Sequence, residues 1–386
     1  MYIDGVPRSR SASALADLPT VERVEVLSGP QSTLFGENAS AGVISISTLL
    51  PEDSFDGMIE ATGGNYGTRI FKGTVTGPLS DNVSFRLSAS DNFSDGYATN
   101  ITRGSGVNER NRNAVRGQLL FEPADDLTIR LIADHNEIDE VCCAASGLVY
   151  GPASQVAANI ALQQGYATAP IDPWARNVNM NVTPSNKLEG KGVSMQIDKD
   201  LDYATLTSIT SSRRQSLDSD FDADFSPADL LGENRVDYTI KSFTQELRLT
   251  SNSDGDLQWM VGLFHSDEEV DTERTLIYGD DVYPFADFLI GSLLPGGLTS
   301  VATLLTLSQA VQAEIAATGN TALAALLAPT ASQADQLAYL AGGNASGADL
   351  TAGIPALAGS WFQPGTALPQ EIFAMDGVAT SVFPQF

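Results

Sequence analysis

The feature that most constrains this chain is a two-residue alternation that keeps returning. Asn82 to Phe93 reads NVSFRLSASDNF, with Val83, Phe85, Leu87 and Ala89 on one side and Ser84, Arg86, Ser88, Ser90 and Asn92 on the other. Successive strand side chains point to opposite faces, so this is a strand with one apolar and one polar face. Val115, Leu119 and Phe121 oppose Arg116 and Gln118, and Leu127, Ile129, Leu131 and Ala133 oppose Thr128, Arg130, Asp134 and Asn136. Val193, Met195 and Ile197 oppose Ser194, Gln196 and Asp198; Phe243, Leu247 and Leu249 oppose Thr244, Glu246, Arg248 and Thr250; Trp259, Val261 and Leu263 continue the series. With weaker members at 55–66, 69–79 and 201–213, the pattern predicts about nine antiparallel strands of roughly ten residues, the length a tilted strand needs to cross a bilayer.

The connections alternate in length. GPLSDN, EPADD, KDLD and SNSDGD are short and rich in turn-forming residues. Between them lie long connections at about 94–111, 137–186, 215–238 and from 270 onward. Short turns on one side and long loops on the other fit an outer-membrane barrel. One-faced strands also suit a soluble sandwich, which need not alternate its loops in this way. Tyr66, Phe93, Phe121 and Trp259 sit near strand ends, as an aromatic girdle or as core residues. Residues 280–375 break the rhythm: LTSVATLLTLSQAVQAEIAATG and TALAALLA have helical spacing, as short amphipathic helices in one large loop or as an insertion of little order.

Acidic residues number 48 against 21 basic, a formal net charge of −27. Nucleic acid is excluded as a partner, because phosphate binding needs clustered Lys and Arg. The acid surplus is a solvated surface or, in loops, a holder of divalent cations. No apolar run reaches the ~18 residues of a membrane-spanning helix. MYIDGVPRSR leads into no apolar stretch of the signal-peptide kind and reads as a strand entered midway, which predicts a portion of the protein ahead of it.

Residues 1–52 are compact and turn-rich. YIDGV is followed by DLPTVERVEVLSGPQSTLFGENASAGVISISTLLPE, in which Gly29 and Pro30 end one strand, Gly36 permits a turn and Gly42 opens the next strand. This stretch resembles the second half of the plug domain of TonB-dependent outer-membrane receptors, and TQELRLTSNSDGDLQWMVGLFHSDEE resembles a strand pair of their barrel. The resemblance implies a late plug at 1–52 and the early part of a transmembrane barrel at 53–386, about nine strands of the roughly 22 that close such a barrel. A helical extracellular loop is expected at about 275–378. It also implies active import of a scarce ligand, most readily a ferric siderophore, energised through TonB, in the bacterial outer membrane. The TonB-binding segment would lie outside this chain, which is expected to be an inactive fragment. No enzymatic activity and no cofactor are implied. The alternative is a secreted or surface β-rich adhesin, which would have no reason for a plug.

Where the family often has a basic residue before Gly-Pro, this chain has Ser28, and Glu37 follows Phe-Gly. Family plugs set basic residues against barrel carboxylates; by that resemblance Glu246 is such a carboxylate and Arg23 its partner in a plug–barrel latch. Arg8 and Arg10 are the candidates for contact with an anionic ligand, or else solvated loop arginines. Cys142 and Cys143 are adjacent, and are either two loop thiols or a strained vicinal disulfide. One His near two adjacent Cys does not match zinc spacing, so no metal site is expected. The acidic tract DSDFDADFSPAD (218–229) lacks the EF-hand spacing and is either a Ca²⁺-binding or a solvated loop. His135 and His265 fall within predicted strands as structural residues, and no catalytic nucleophile is evident.

Overall fold

The computed structural model describes residues 1–10, 20–31, 35, 39–149, 151–168, 172–253, 257–286 and, as a strand, 371–385. The expected helices after residue 298 and Gly36 lie outside the described residues.

The N-terminal unit is a small mixed sheet. β1 (Tyr2–Ile3) and β2 (Val6–Pro7) form a hairpin around Asp4-Gly5, both with positive φ (49° and 74°). That is the two-residue turn whose twist matches antiparallel strands, and it favours Asp-Gly. β3 (Val21–Ser28) pairs antiparallel with β4 (Gly42–Thr48), and β1 lies parallel to β4, giving the order β2-β1-β4-β3. Tyr2, Ala39 and Val43 form its core with Leu27 and Phe35. Tyr2 donates a hydrogen bond to the Phe35 carbonyl and stacks its ring 4.8 Å from that of Phe35. β3 is the edge strand and its valines stay exposed, Val24 at 55% and Val26 at 70%.

The second unit is a ten-stranded antiparallel sheet. Its strands are β5 (Asp56–Gly63), β6 (Arg69–Ser80), β7 (Val83–Ser94), β10 (Arg110–Ala124), β11 (Leu127–Glu140), β13 (Ser185–Asp200), β14 (Ala204–Asp220), β15 (Leu231–Ser251), β16 (Met260–Tyr278) and β17 (Glu371–Gln385). Each pairs with its chain neighbour, from β5 at one edge to β17 at the other, so the sheet is an open meander. The nine expected strands are all present. The tenth, β17, falls partly within the segment expected to be loop, and alternation alone did not mark it. Several strands exceed ten residues, up to 21 in β15, because pairing continues past the apolar band on the long-loop side.

The inner and outer faces invert the usual rule for a soluble protein. Ser84, Arg86, Ser88, Asn92, Arg116, Gln118 and Arg130 are buried, while Leu87, Val115, Leu119, Phe121, Leu131, Val193, Leu247 and Leu263 are exposed. The polar face lies under the N-terminal unit and the apolar face is left bare. An apolar surface of this extent suits lipid, not water.

On the long-loop side, β8 (Ala98–Asn100), β9 (Ser105–Val107) and β12 (Asn177–Val178) form a three-stranded sheet over a cluster of Ala98, Val107, Val178 and Met180. One helix, α1 (Pro152–Gln163), lies in the connection between β11 and β13. Cys142 and Cys143 are joined to each other in that connection, beside Val141 and Ala144, which pack on the cluster.

Two glycines of the plug-like turn separate by sterics. Gly42 has φ +145° and an added Cβ would lie 2.5 Å from the Leu27 carbonyl oxygen; Gly29 has φ +80° with open space around it. Gly42→Ala is expected to destabilise the N-terminal unit by roughly 1–3 kcal/mol and Gly29→Ala by about 1 kcal/mol. Denaturant titration of the two variants checks the order; equal effects would contradict it.

Candidate functional site: a charged seat beneath the N-terminal sheet

The Asp4-Gly5 turn faces the wall. Gly5 lies against Ile209 of β14, where a Cβ would come within 2.7 Å of its side chain. The Asp4 side chain is 1% exposed. Within its own unit it accepts hydrogen bonds from the Thr48 amide (2.8 Å) and hydroxyl (2.9 Å). From the wall it receives Arg116 of β10 and Arg130 of β11, the latter at 3.3 Å. Arg130 also donates to the Thr48 hydroxyl (2.9 Å) and to Gln118 (3.0 and 2.6 Å), and Gln118 donates to the Leu49 carbonyl (3.2 Å).

A second carboxylate, Asp134 of β11, sits alongside. Arg213 of β14 grips it with two hydrogen bonds (2.9 and 2.6 Å), Arg116 reaches it at 3.2 Å and Arg8 at 3.9 Å. Arg213 crosses the intervening strand β13 above Gly192, where an added Cβ would fall 2.5 Å from its guanidinium. Two carboxylates thus share four guanidinium groups in a buried layer. Burial pushes Arg8 down to about 10, with Asp134 opposing, so it remains a cation at neutral pH.

The exit from the N-terminal unit is fastened as well. Arg86 of β7 pairs with Glu52 (2.7 Å) and donates to the Leu50 carbonyl (2.9 Å), and the Glu52 amide donates to Thr76 (2.9 Å). Ser9 donates to Glu268 of β16, and Thr20 lies 3.4 Å from Ser88.

The Arg23–Glu246 latch is not among these contacts. Arg23 stands on the edge strand β3, 60% exposed, and pairs with Glu25; Glu246 is buried on β15 and lies 3.1 Å from Arg248. The charged contact forms instead around the β1–β2 turn, just after β2 and at the end of β4, and it runs both ways: Asp4 meets Arg116 and Arg130 of the wall, and Arg8 meets the wall's Asp134. Arg8 is buried in that layer and so is no solvated loop residue, whereas Arg10 is exposed with its guanidinium 5.7 Å above the Tyr238 ring. Asp4 was legible only as a turn residue; the Asp-Gly dipeptide carried no sign of what its carboxylate would meet.

The acidic tract is not a solvated loop. Asp222 is buried and accepts hydrogen bonds from the Phe225 and Val182 amides (2.8 and 3.2 Å); Asp224 accepts from the Ser226 and Leu231 amides (both 2.9 Å). Asp229 accepts from Asn181 (2.8 Å), and Asp281 accepts from Gln164 (2.6 Å) and the Asp229 amide (2.8 Å). These carboxylates hold three long connections together. Burial, and after it the Asp224 charge, pushes Asp222 up to about 7, and burial also raises Asp224.

A small mixed sheet is thus seated on the polar inner face of an open sheet of long, outwardly apolar strands, the arrangement of a plug against part of a β-barrel wall. Residues 1–43 match the TonB-dependent Receptor Plug Domain. The Pesticin receptor of Yersinia pestis is 35% identical over 85 residues, 22% of this chain and 12% of that protein. The Ferric enterobactin receptor PirA of Pseudomonas aeruginosa is 36% identical over 94 residues, 23% of this chain and 13% of that protein. Among solved structures, the ferric yersiniabactin uptake receptor FyuA from Yersinia pestis superposes with a TM-score of 0.60 at 20% identity, covering 72% of this chain and 40% of that one. The ferripyoverdine receptor of Pseudomonas aeruginosa gives 0.55 at 17%, covering 72% and 37%. Residues 1–43 are thus similar to the plug domain of TonB-dependent receptors, and the described strands share the fold of the solved receptors. The chain spans about two-fifths of the solved receptors it matches.

Asp4→Ala leaves Arg116 and Arg130 buried without their carboxylate and is expected to cost about 3–5 kcal/mol. The N-terminal unit should then become cleavable by added protease while the wall keeps its strand signal in circular dichroism. Unchanged protection would remove Asp4 from its role. In the long-connection lobe, folded Asp222 keeps a proton that an ordinary carboxyl loses above pH 3.8. The folded state therefore binds more protons between there and about 7, and the lobe gains stability as pH falls through that window. Exchange protection of the Phe225 and Val182 amides should be greater near pH 5 than near pH 8 after correction for intrinsic rates, and Asp222→Asn should flatten the difference.

Proposed function

We propose that this chain works in TonB-energised import of a ferric siderophore across the outer membrane. Residues 1–52 serve as the later part of the plug and 53–386 as barrel wall. The observation that carries the reading is the plug-domain match at residues 1–43, seated on the polar face of the sheet through Asp4. Siderophore specificity is supported by the matched proteins, which include receptors named for ferrioxamine, enterobactin and yersiniabactin.

The seat suits that work physically. An apolar plug–wall contact loses its stabilisation when wetted, but ion pairs can exchange a partner for water and re-form. A pull transmitted through the plug would separate Asp4 from Arg116 and Arg130, and the arginines would draw it back when the pull ends. The import reaction needs no nucleophile or bound cofactor. Arg10, above Tyr238, is the residue we place toward an anionic chelate; Arg8 belongs to the seat.

Deleting the gene should abolish uptake of radiolabelled iron presented as at least one ferric siderophore, and that uptake should also vanish when TonB is removed. Full uptake of a broad siderophore panel in the deletion strain would overturn the reading.

A further inference from the structure

Beside the charged seat, the segment that follows β2 and the strands β11 to β15 enclose a cavity of about 20 Å³. That exceeds the roughly 10–15 Å³ that a single water-sized guest needs. The N-terminal unit contributes Arg8 and Ser9 to its lining, and the wall contributes Asn136, Gly190, Gln215 and Ser242.

Two of these residues carry a donor that the protein does not use. Arg8 turns a terminal nitrogen toward Asp134, at 3.9 Å, while its Nε makes no hydrogen bond among the described residues. The Nδ2 of Asn136 makes none either. Both groups are withdrawn from water, the Arg8 side chain 5% exposed and Asn136 6%. A buried donor without an acceptor bears the full cost of its lost hydration. Two such donors on one small cavity, one from each unit, specify an acceptor as its guest.

The rest of the lining favours a charged acceptor over a neutral one. Arg213 joins Arg8 there, and among the described residues no carboxylate does. The carboxylates around the cavity are engaged elsewhere: Asp134 by Arg213 and Arg116, Asp4 by Arg116, Arg130 and Thr48, and Glu268 by the Ser9 hydroxyl. A water would bring two hydrogens that need acceptors of their own. An anion accepts from both donors, and its bond to the guanidinium is of the stronger, charge-assisted kind. Gly190 keeps the place open, since an added Cβ would lie 2.6 Å from the Asn136 amide oxygen.

We propose that this cavity binds a small inorganic anion of chloride size, held by Arg8 Nε from the N-terminal unit and by Asn136 Nδ2 from the wall. One ligand then touches both units, so its binding fastens the seat, and the hold of the wall on the N-terminal unit follows the chloride concentration.

The full chain in detergent micelles, in sodium chloride or in sodium gluconate of the same ionic strength, tests this by hydrogen exchange at the Arg8 amide, which donates to the Met1 carbonyl (2.9 Å). Gluconate is too large for the cavity and controls for screening. Protection should rise with chloride, by up to about tenfold for each tenfold rise in concentration above the binding midpoint, and should not respond to gluconate. Asn136→Asp sets a carboxylate beside the site and should make protection independent of chloride. Crystals of the parent protein grown in bromide should show an anomalous-scattering peak within hydrogen-bond reach of Arg8 Nε and Asn136 Nδ2, a result that needs no variant to fold. Equal protection in the two salts, chloride dependence retained in Asn136→Asp, or crystals in which the cavity holds only water or the Asn136 carbonyl turned to accept from Arg8 Nε would each overturn the proposal.

Discussion

At the centre of the contact between the two units is a carboxylate withdrawn from water. Asp4 occupies a two-residue turn and is held by Thr48 from its own sheet and by Arg116 and Arg130 from the wall. A buried charge is costly unless paired and hydrogen-bonded. The same atoms therefore fix the hairpin, the end of β4 and the position of both on the wall. Asp134 extends the arrangement to Arg8 and Arg213, so that one contiguous layer spans β10 to β14.

That layer explains the inverted distribution of side chains. A wall whose inner face is polar has no hydrophobic reason to hold a plug; charge and hydrogen bonds must do it. A wall whose outer face is apolar has no reason to avoid lipid. The one-faced strands are thus read correctly only when both neighbours, plug and bilayer, are considered. Gly192 belongs to the same logic, since only a residue without a Cβ lets Arg213 cross β13 to reach Asp134.

The long connections follow a different physics. Their carboxylates accept backbone amides instead of meeting arginines. The acid-rich composition that looked like a solvated surface is here a means of ordering loops, with Asp222 and Asp224 both raised by burial and Asp222 further by the Asp224 charge. Composition could not have separated these roles, because an aspartate in a turn and one on a surface look alike in a sequence.

Nine of the ten strands of the wall and the identity of its polar face were written in the alternation itself, because side-chain direction in a strand has a period of two and needs no partner to be read. The plug-like punctuation at Gly29, Pro30 and Gly42 was equally legible, since those residues answer local backbone demands. Which charges meet was not. Arg23 and Glu246 had suitable chemistry but pair with Glu25 and Arg248 of their own strands, while Asp4 meets Arg116, 112 residues away, because a hairpin turn faces that part of the sheet. Local periodicity is fixed by the covalent chain; electrostatic partnership is decided by the packing of one unit on another.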